Sequence, residues 1–176
     1  MTKISVLMAC LALLAFQGPL SGNDAALSNP GFEKNLEGWK VSSAGPPPSL
    51  SGQAAHEGNL GLHLSDPDAE TSCHLSSDSV PVDPGQKVKL AFWARSSSPV
   101  FMGVSLSFRT QKGKWITGEN DEKPPTCAIQ NSHGEWRRYE LEATAPDAAA
   151  AVVIWIHSYK TTIGEADLDD FDLAVQ

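Results

Sequence analysis

Four times between residues 88 and 157, the chain places apolar side chains at every second position. Val88, Leu90, Phe92 and Ala94 alternate with Lys89, Ala91, Trp93 and Arg95, and Val104, Leu106 and Phe108 alternate with Ser105, Ser107 and Arg109. Tyr139, Leu141 and Ala143 alternate with Arg138, Glu140 and Glu142, and Val152, Ile154 and Ile156 with Val153, Trp155 and His157. A period of two sends alternate side chains to opposite faces of a strand, where a helix would need a period near 3.6. Shorter strands are expected at 39–43, 61–64, 71–75 and 166–175. Turn chemistry punctuates these runs at Asn29-Pro30-Gly31, Pro46-Pro47-Pro48, Asp66-Pro67-Asp68, Asp83-Pro84-Gly85 and Ser132-His133-Gly134. Short strands with closely spaced turns predict an all-β sandwich or barrel. Asp147 before the alanines at 148–151 is the one helix signal, but Val152 and Val153 follow at once, so the segment is expected to turn into a strand. Residues 111–134 are polar and rich in Lys, Gly and Pro, which predicts a long loop, and loops of that length usually carry a task.

The N-terminus is expected to be a targeting segment. Lys3 precedes an apolar run over 4–16, and Gly18, Pro19, Ser21 and Gly22 then supply small and helix-breaking residues. The run is too short to span a bilayer, so residues 1–22 are expected to be a secretory signal peptide cleaved near Gly22. Residues 23–176 then form one domain, secreted or periplasmic, with no transmembrane segment. Leu7-Met8-Ala9-Cys10 resembles a lipoprotein box, but the apolar run continues well past Cys10, which makes lipid anchoring there the lesser alternative.

With Lys3 removed from the 13 basic residues, the 21 acidic ones leave a formal charge of −9. That balance argues against nucleic acid and anionic membrane surfaces and suits a neutral or cationic ligand. Cys73 and Cys127 remain after processing. In an exported protein such a pair is expected to form a disulfide, contributing about 4 kcal/mol on the chain-entropy model; the alternative is two separate buried thiols. No zinc-ligand spacing, nucleophile elbow or phosphate loop is present.

Several blocks together resemble a known family. They are Asn29-Pro30-Gly31-Phe32-Glu33 with Gly38-Trp39; Gly61-Leu62-His63-Leu64; Val80-Pro81-Val82-Asp83-Pro84-Gly85-Gln86 leading to Leu90-Ala91-Phe92-Trp93-Ala94-Arg95; Trp136 and Tyr139 with Thr144-Ala145-Pro146; and Leu168-Asp169-Asp170-Phe171-Asp172-Leu173. In order and spacing they resemble the family 4/9 carbohydrate-binding modules. The resemblance implies a jelly-roll β-sandwich of two antiparallel sheets, of the galactose-binding type. It also implies a non-catalytic role in binding a polysaccharide or oligosaccharide, as accessory to a separate glycan-degrading enzyme. Such modules commonly hold a structural Ca2+ between their first and last strands, which places Glu33 and Asp169 as ligands here, with Asp170 as a substitute. The alternative is that Glu33 caps a turn and the acids at 167–172 are solvated.

Sugar rings are bound by flat aromatics and by planar or charged hydrogen-bond donors. Outward parity predicts such a surface from Trp93 and Arg95, from Ser105, Ser107 and Arg109, and from Trp155, His157 and Tyr159. Ile156-His157-Ser158-Tyr159 also resembles a segment that supplies a ligand histidine in xylan-binding members. Trp115, set among Lys112, Gly113, Lys114 and Gly118, is the expected solvent-facing platform. Trp39 and Trp136 are assigned to packing. Trp93 and Trp155 have a second reading as an apolar layer beneath a loop, and Arg95 and Arg109 as partners of surface acids. The rival function is an envelope or extracellular protein-interaction module, with the same rings as interface anchors.

Overall fold

The computed structural model describes residues 27–42, 44–99, 102–117 and 123–176. The expected signal peptide, its cleavage point, Cys10 and Gly118 lie outside the described residues. Among the described residues there is no α-helix, and no helix long and apolar enough to cross a membrane.

The strands are β1 (Trp39–Val41), β2 (Ser49–Ser51), β3 (Gly61–Asp66), β4 (His74–Ser77), β5 (Val80–Pro81), β6 (Lys87–Arg95), β7 (Met102–Arg109), β8 (Thr126–Ala128), β9 (Arg137–Thr144), β10 (Ala151–Ser158) and β11 (Gly164–Val175). One sheet has the order β1-β4-β10-β7-β8, with β5 beside the first residues of β10; the other has the order β2-β3-β11-β6-β9. All pairings are antiparallel. The chain passes from one sheet to the other at most connections, and the result is a jelly-roll sandwich.

The alternation seen in the sequence is what closes the sandwich. Val88, Leu90, Phe92 and Ala94 from β6 face Val104, Leu106, Val152, Ile154 and Ile156 from the other sheet, all fully buried in one core. Phe92 lies parallel to Tyr139 and Phe171 at 5.4 and 5.2 Å, and Phe32, Trp39 and Phe171 form an adjoining ring cluster. Trp39 is therefore a packing residue, its indole N–H donating to the Asn29 carbonyl at 3.1 Å. The four long strands lie where the period places them. The strand expected at 71–75 instead occupies His74–Ser77, and the loop expected over 111–134 contains β8.

A bulge in β11 shapes one end. Asp169 pairs with Trp93 and Asp172 with Ala91, so Asp170 and Phe171 together oppose Phe92. Asp170 takes a φ of +50° there. The extra residue turns Phe171 into the core and leaves neighbouring carboxylates outside it, as bulges re-aim side chains.

The expected disulfide is not formed, and sheet order explains why. Cys127 pairs with Val104 on β7, Val104 with Ile156 on β10, and Ile156 with Leu75 on β4. Three interstrand steps separate Cys127 from Leu75, about 14 Å. Cys73 lies two residues beyond Leu75, and disulfide Cα atoms must come within about 7 Å. Cys127 is a half-buried free thiol, and the buried Cys73 thiol lies 3.5 Å from the Pro46 carbonyl.

Candidate functional site

The outer face of the β1-β4-β10-β7-β8 sheet can be read from its register. One row runs Lys40, Ser76, Trp155, Ser105 and Thr126; the next runs His74, His157, Gly103 and Ala128. Ser76 and Ser105 flank Trp155, and His157 lies between His74 and Gly103. Trp155 stacks on His157 at 4.1 Å and on His74 at 5.6 Å, and Tyr159 meets His157 edge-on at 5.1 Å. Gly103 is required there: a Cβ on it would lie 2.6 Å from the Tyr159 hydroxyl and 2.8 Å from Thr126.

A groove of about 660 Å3 runs beside this row, between Trp155, His74, Ser76 and Ser107 on one side and Arg109, Trp115, Ile116 and Pro124 on the other. Trp115 bridges back to Arg109 and is 49% exposed. The Arg109 guanidinium lies 3.8 Å from the centre of its ring, a cation–π contact that braces the indole. Burial holds the His157 and His74 pKa values below the ordinary imidazole range; His74 depresses His157 further, and Asp66 partly offsets the effect on His74. Both rings are therefore neutral at neutral pH. Burial pushes the Tyr159 hydroxyl up. The face thus offers neutral π-surfaces, hydroxyls and two cations, Lys40 and Arg109.

Trp93 and Arg95 do not belong to this face. β6 lies in the other sheet, and they point from the opposite side of the sandwich. The expected surface, drawn from three strands as one, is therefore two surfaces. Trp93 is covered by His56, stacked at 4.1 Å, with Trp136 edge-on to the same histidine at 5.2 Å. Arg95 lies 4.8 Å over Trp136 and its Nε donates to Asp167 at 2.8 Å, so it pairs with a surface acid. Trp136, assigned to packing, is half-buried in this outer cluster and is not part of the core.

The carboxylates expected around a cation divide in the same region. Asp169 is fully buried, and its oxygens accept the backbone N–H groups of His56, Glu57 and Asp170. Burial nonetheless raises its pKa, and the Asp170 charge adds to the rise. An Oδ1 from each aspartate approaches Gly31, 3.6 and 3.5 Å from where a Cβ would sit. Glu33 instead clamps the loop after His56, accepting from Asn59 and Leu60 N–H at 2.8 and 2.9 Å, and these bonds lower its pKa. Asp169 and Asp170 offer oxygens of the kind a hard cation takes, and Asp170 Oδ2 also lies 2.6 Å from His56 Nδ1. Glu33 is turned to a different task. His56, Glu57 and Asp170 also bring ligand atoms within 4.8 Å of one another.

Sequence reasoning found Trp155, His157, Tyr159, Arg109 and Trp115 on one face, and missed Lys40 and His74. His74 showed no metal-ligand spacing, and its place beside His157 comes from the β4–β10 register alone.

Comparison with known proteins bears on the family and the fold. The family model described as a carbohydrate-binding domain, of the 4/9 type, matches residues 24–162. No curated protein matches the sequence. Solved structures share the fold at identities too low to show more. The enzymatically active domain of tailspike protein 4 of bacteriophage CBA120 has a TM-score of 0.68 at 18% identity, over 85% of this chain and 21% of the other, so this chain spans about a fifth of that chain's length. A family 61 module in complex with β-1,4-galactotriose has a TM-score of 0.59 at 19% identity, over 85% and 97%. The xylan-binding domain of Paenibacillus barcinonensis Xyn10C has a TM-score of 0.59 at 14% identity, over 82% and 90%. The match over most of the chain and the jelly-roll sandwich agree: this chain belongs to the carbohydrate-binding domain family of the 4/9 type.

Proposed function

We propose that this chain is an exported, non-catalytic module that holds a polysaccharide in the groove on the outer face of the β1-β4-β10-β7-β8 sheet. The observation that carries this reading is the pairing of two ring platforms across one groove. Trp155, stacked with His74 and His157, forms one side, and the exposed, Arg109-braced Trp115 forms the other. A pyranose presents an apolar C–H face edged by hydroxyls, and rings with serines and cations beside them match both features. Structural neighbours described as bound to galactotriose or as xylan-binding support the same ligand class. The non-catalytic reading is supported by the family, which is described as a carbohydrate-binding domain. A relative whose module is joined to a xylanase supports partnership with a glycan-degrading enzyme.

The test is affinity electrophoresis of the mature protein against xylan, β-1,4-galactan and mixed β-glucans, beside Trp155→Ala, Trp115→Ala and Arg138→Ala. Retardation by at least one glycan is expected, abolished in both tryptophan variants and kept in Arg138→Ala, which alters the opposite sheet. A failure of every glycan to retard the protein would replace this reading with a protein-interaction surface.

The same proposal includes a structural calcium at Asp169 and Asp170. Binding to the folded state alone would raise stability in proportion to the logarithm of calcium concentration. The melting temperature is expected to rise with added calcium chloride, and Asp170→Asn to blunt the rise. Equal melting curves with calcium and with chelator would remove the ion.

A further inference from the structure

We infer that the glycan taken by this groove is anionic, its carboxylate or sulfate seated against Arg109; this rests on the groove being the glycan site. Three observations converge. First, charge is distributed unevenly. The chain carries a net −8, yet every charged residue among the described groove lining is a cation. The other sheet differs: its depression of about 500 Å3 mixes Glu140, Glu142 and Asp172 with Lys89 and Arg138. Of the loop beside the groove, residues 118–122, with Glu119, Asp121 and Glu122, lie outside the described residues.

Second, among the described residues Arg109 has no acid paired with it. Arg95 is joined to Asp167, Arg138 to Glu140, and Lys40 at the groove edge to Asp78 at 3.0 Å with both side chains exposed. Arg109 instead lies against the Trp115 ring, and its Nε is buried without a hydrogen-bond partner. A guanidinium with no acid beside it is a charge that an anionic ligand group can pair with through its N–H groups. A planar guanidinium matches a carboxylate or sulfate through paired N–H bonds, where a neutral hydroxyl uses only one.

Third, the charge stands beside a ring. Arg109 and Trp115 line the same groove, so a sugar held there lies close to the guanidinium. The surrounding protein is acidic and would repel a polyanion at long range, so retention of one reports a local site and not general attraction.

Affinity electrophoresis with matched pairs tests this: polygalacturonate against its carboxyl-reduced form, and a sulfated galactan against its desulfated form. Proteins are wild type, Arg109→Gln, Arg109→Lys and Arg138→Gln, with melting curves to verify folding. The acidic member of at least one pair is expected to bind about tenfold more tightly than its neutral partner, the scale of one charge-assisted hydrogen bond. Arg109→Gln is expected to abolish that preference, Arg109→Lys to keep part of it, and Arg138→Gln to leave it intact. Preference in the uronate pair identifies a carboxylate, and in the galactan pair a sulfate. Equal binding of acidic and neutral members, unchanged in Arg109→Gln, overturns the inference and leaves the glycan groove standing. Binding of no glycan removes both.

Discussion

His157 carries the consequences of its setting in its protonation. It lies between Trp155 and Tyr159, with His74 beside it and Asp66 the acid acting on His74. Because the folded state holds both imidazoles below their ordinary pKa, the unfolded chain takes up protons first as pH falls. Their contribution to stability is complete above about pH 6.5 and is lost as pH drops through the folded values. The melting temperature is therefore expected to fall between about pH 7 and pH 5, and to fall less steeply in His157→Gln. Identical slopes would show that His157 does not couple folding to pH. At this scale the sequence showed Trp155 and His157 well, because outward parity on a strand is unsuited to a large ring without a reason. It gave no sign of His74, whose neighbours along the chain are unremarkable and whose partners lie on another strand.

At the level of elements, pairing order decides chemistry that composition only suggests. An even number of cysteines in an exported chain points to a disulfide, but β10 and β7 stand between β4 and β8. The melting temperature is accordingly expected to be the same with and without dithiothreitol. A loss of several degrees on reduction would contradict the strand order. The β11 bulge acts similarly. Leu168 to Asp172 holds three acids and two apolar residues, and the bulge with Asp170 at positive φ sends Phe171 into the core while Asp169 is buried beneath the His56 loop. β8 escaped notice because its three residues, Thr126–Ala128, are too few to show a period.

For the whole molecule, the sandwich has two outer faces with different characters. One holds a ring-walled groove with cations and small residues; the other holds His56 on Trp93, Arg95 on Asp167, and carboxylates at the bulge. Trp93→Ala is therefore expected to leave retardation by the glycan unchanged under conditions where Trp155→Ala abolishes it. Equal losses would place both rings in one site and contradict the sheet assignment. The sequence by itself determined the all-β class, the long strands and which side chains face inward, because a strand's alternation is a local property of consecutive residues. It could not assign β6 and β10 to different sheets, since each shows the same period whichever strands pair with it. That division, with the distance between the cysteines and the meeting of His74 with Trp155, was decided by hydrogen bonding between strands distant in sequence. Only the tertiary structure sets those partnerships, because the closing of two apolar faces into one core selects them together.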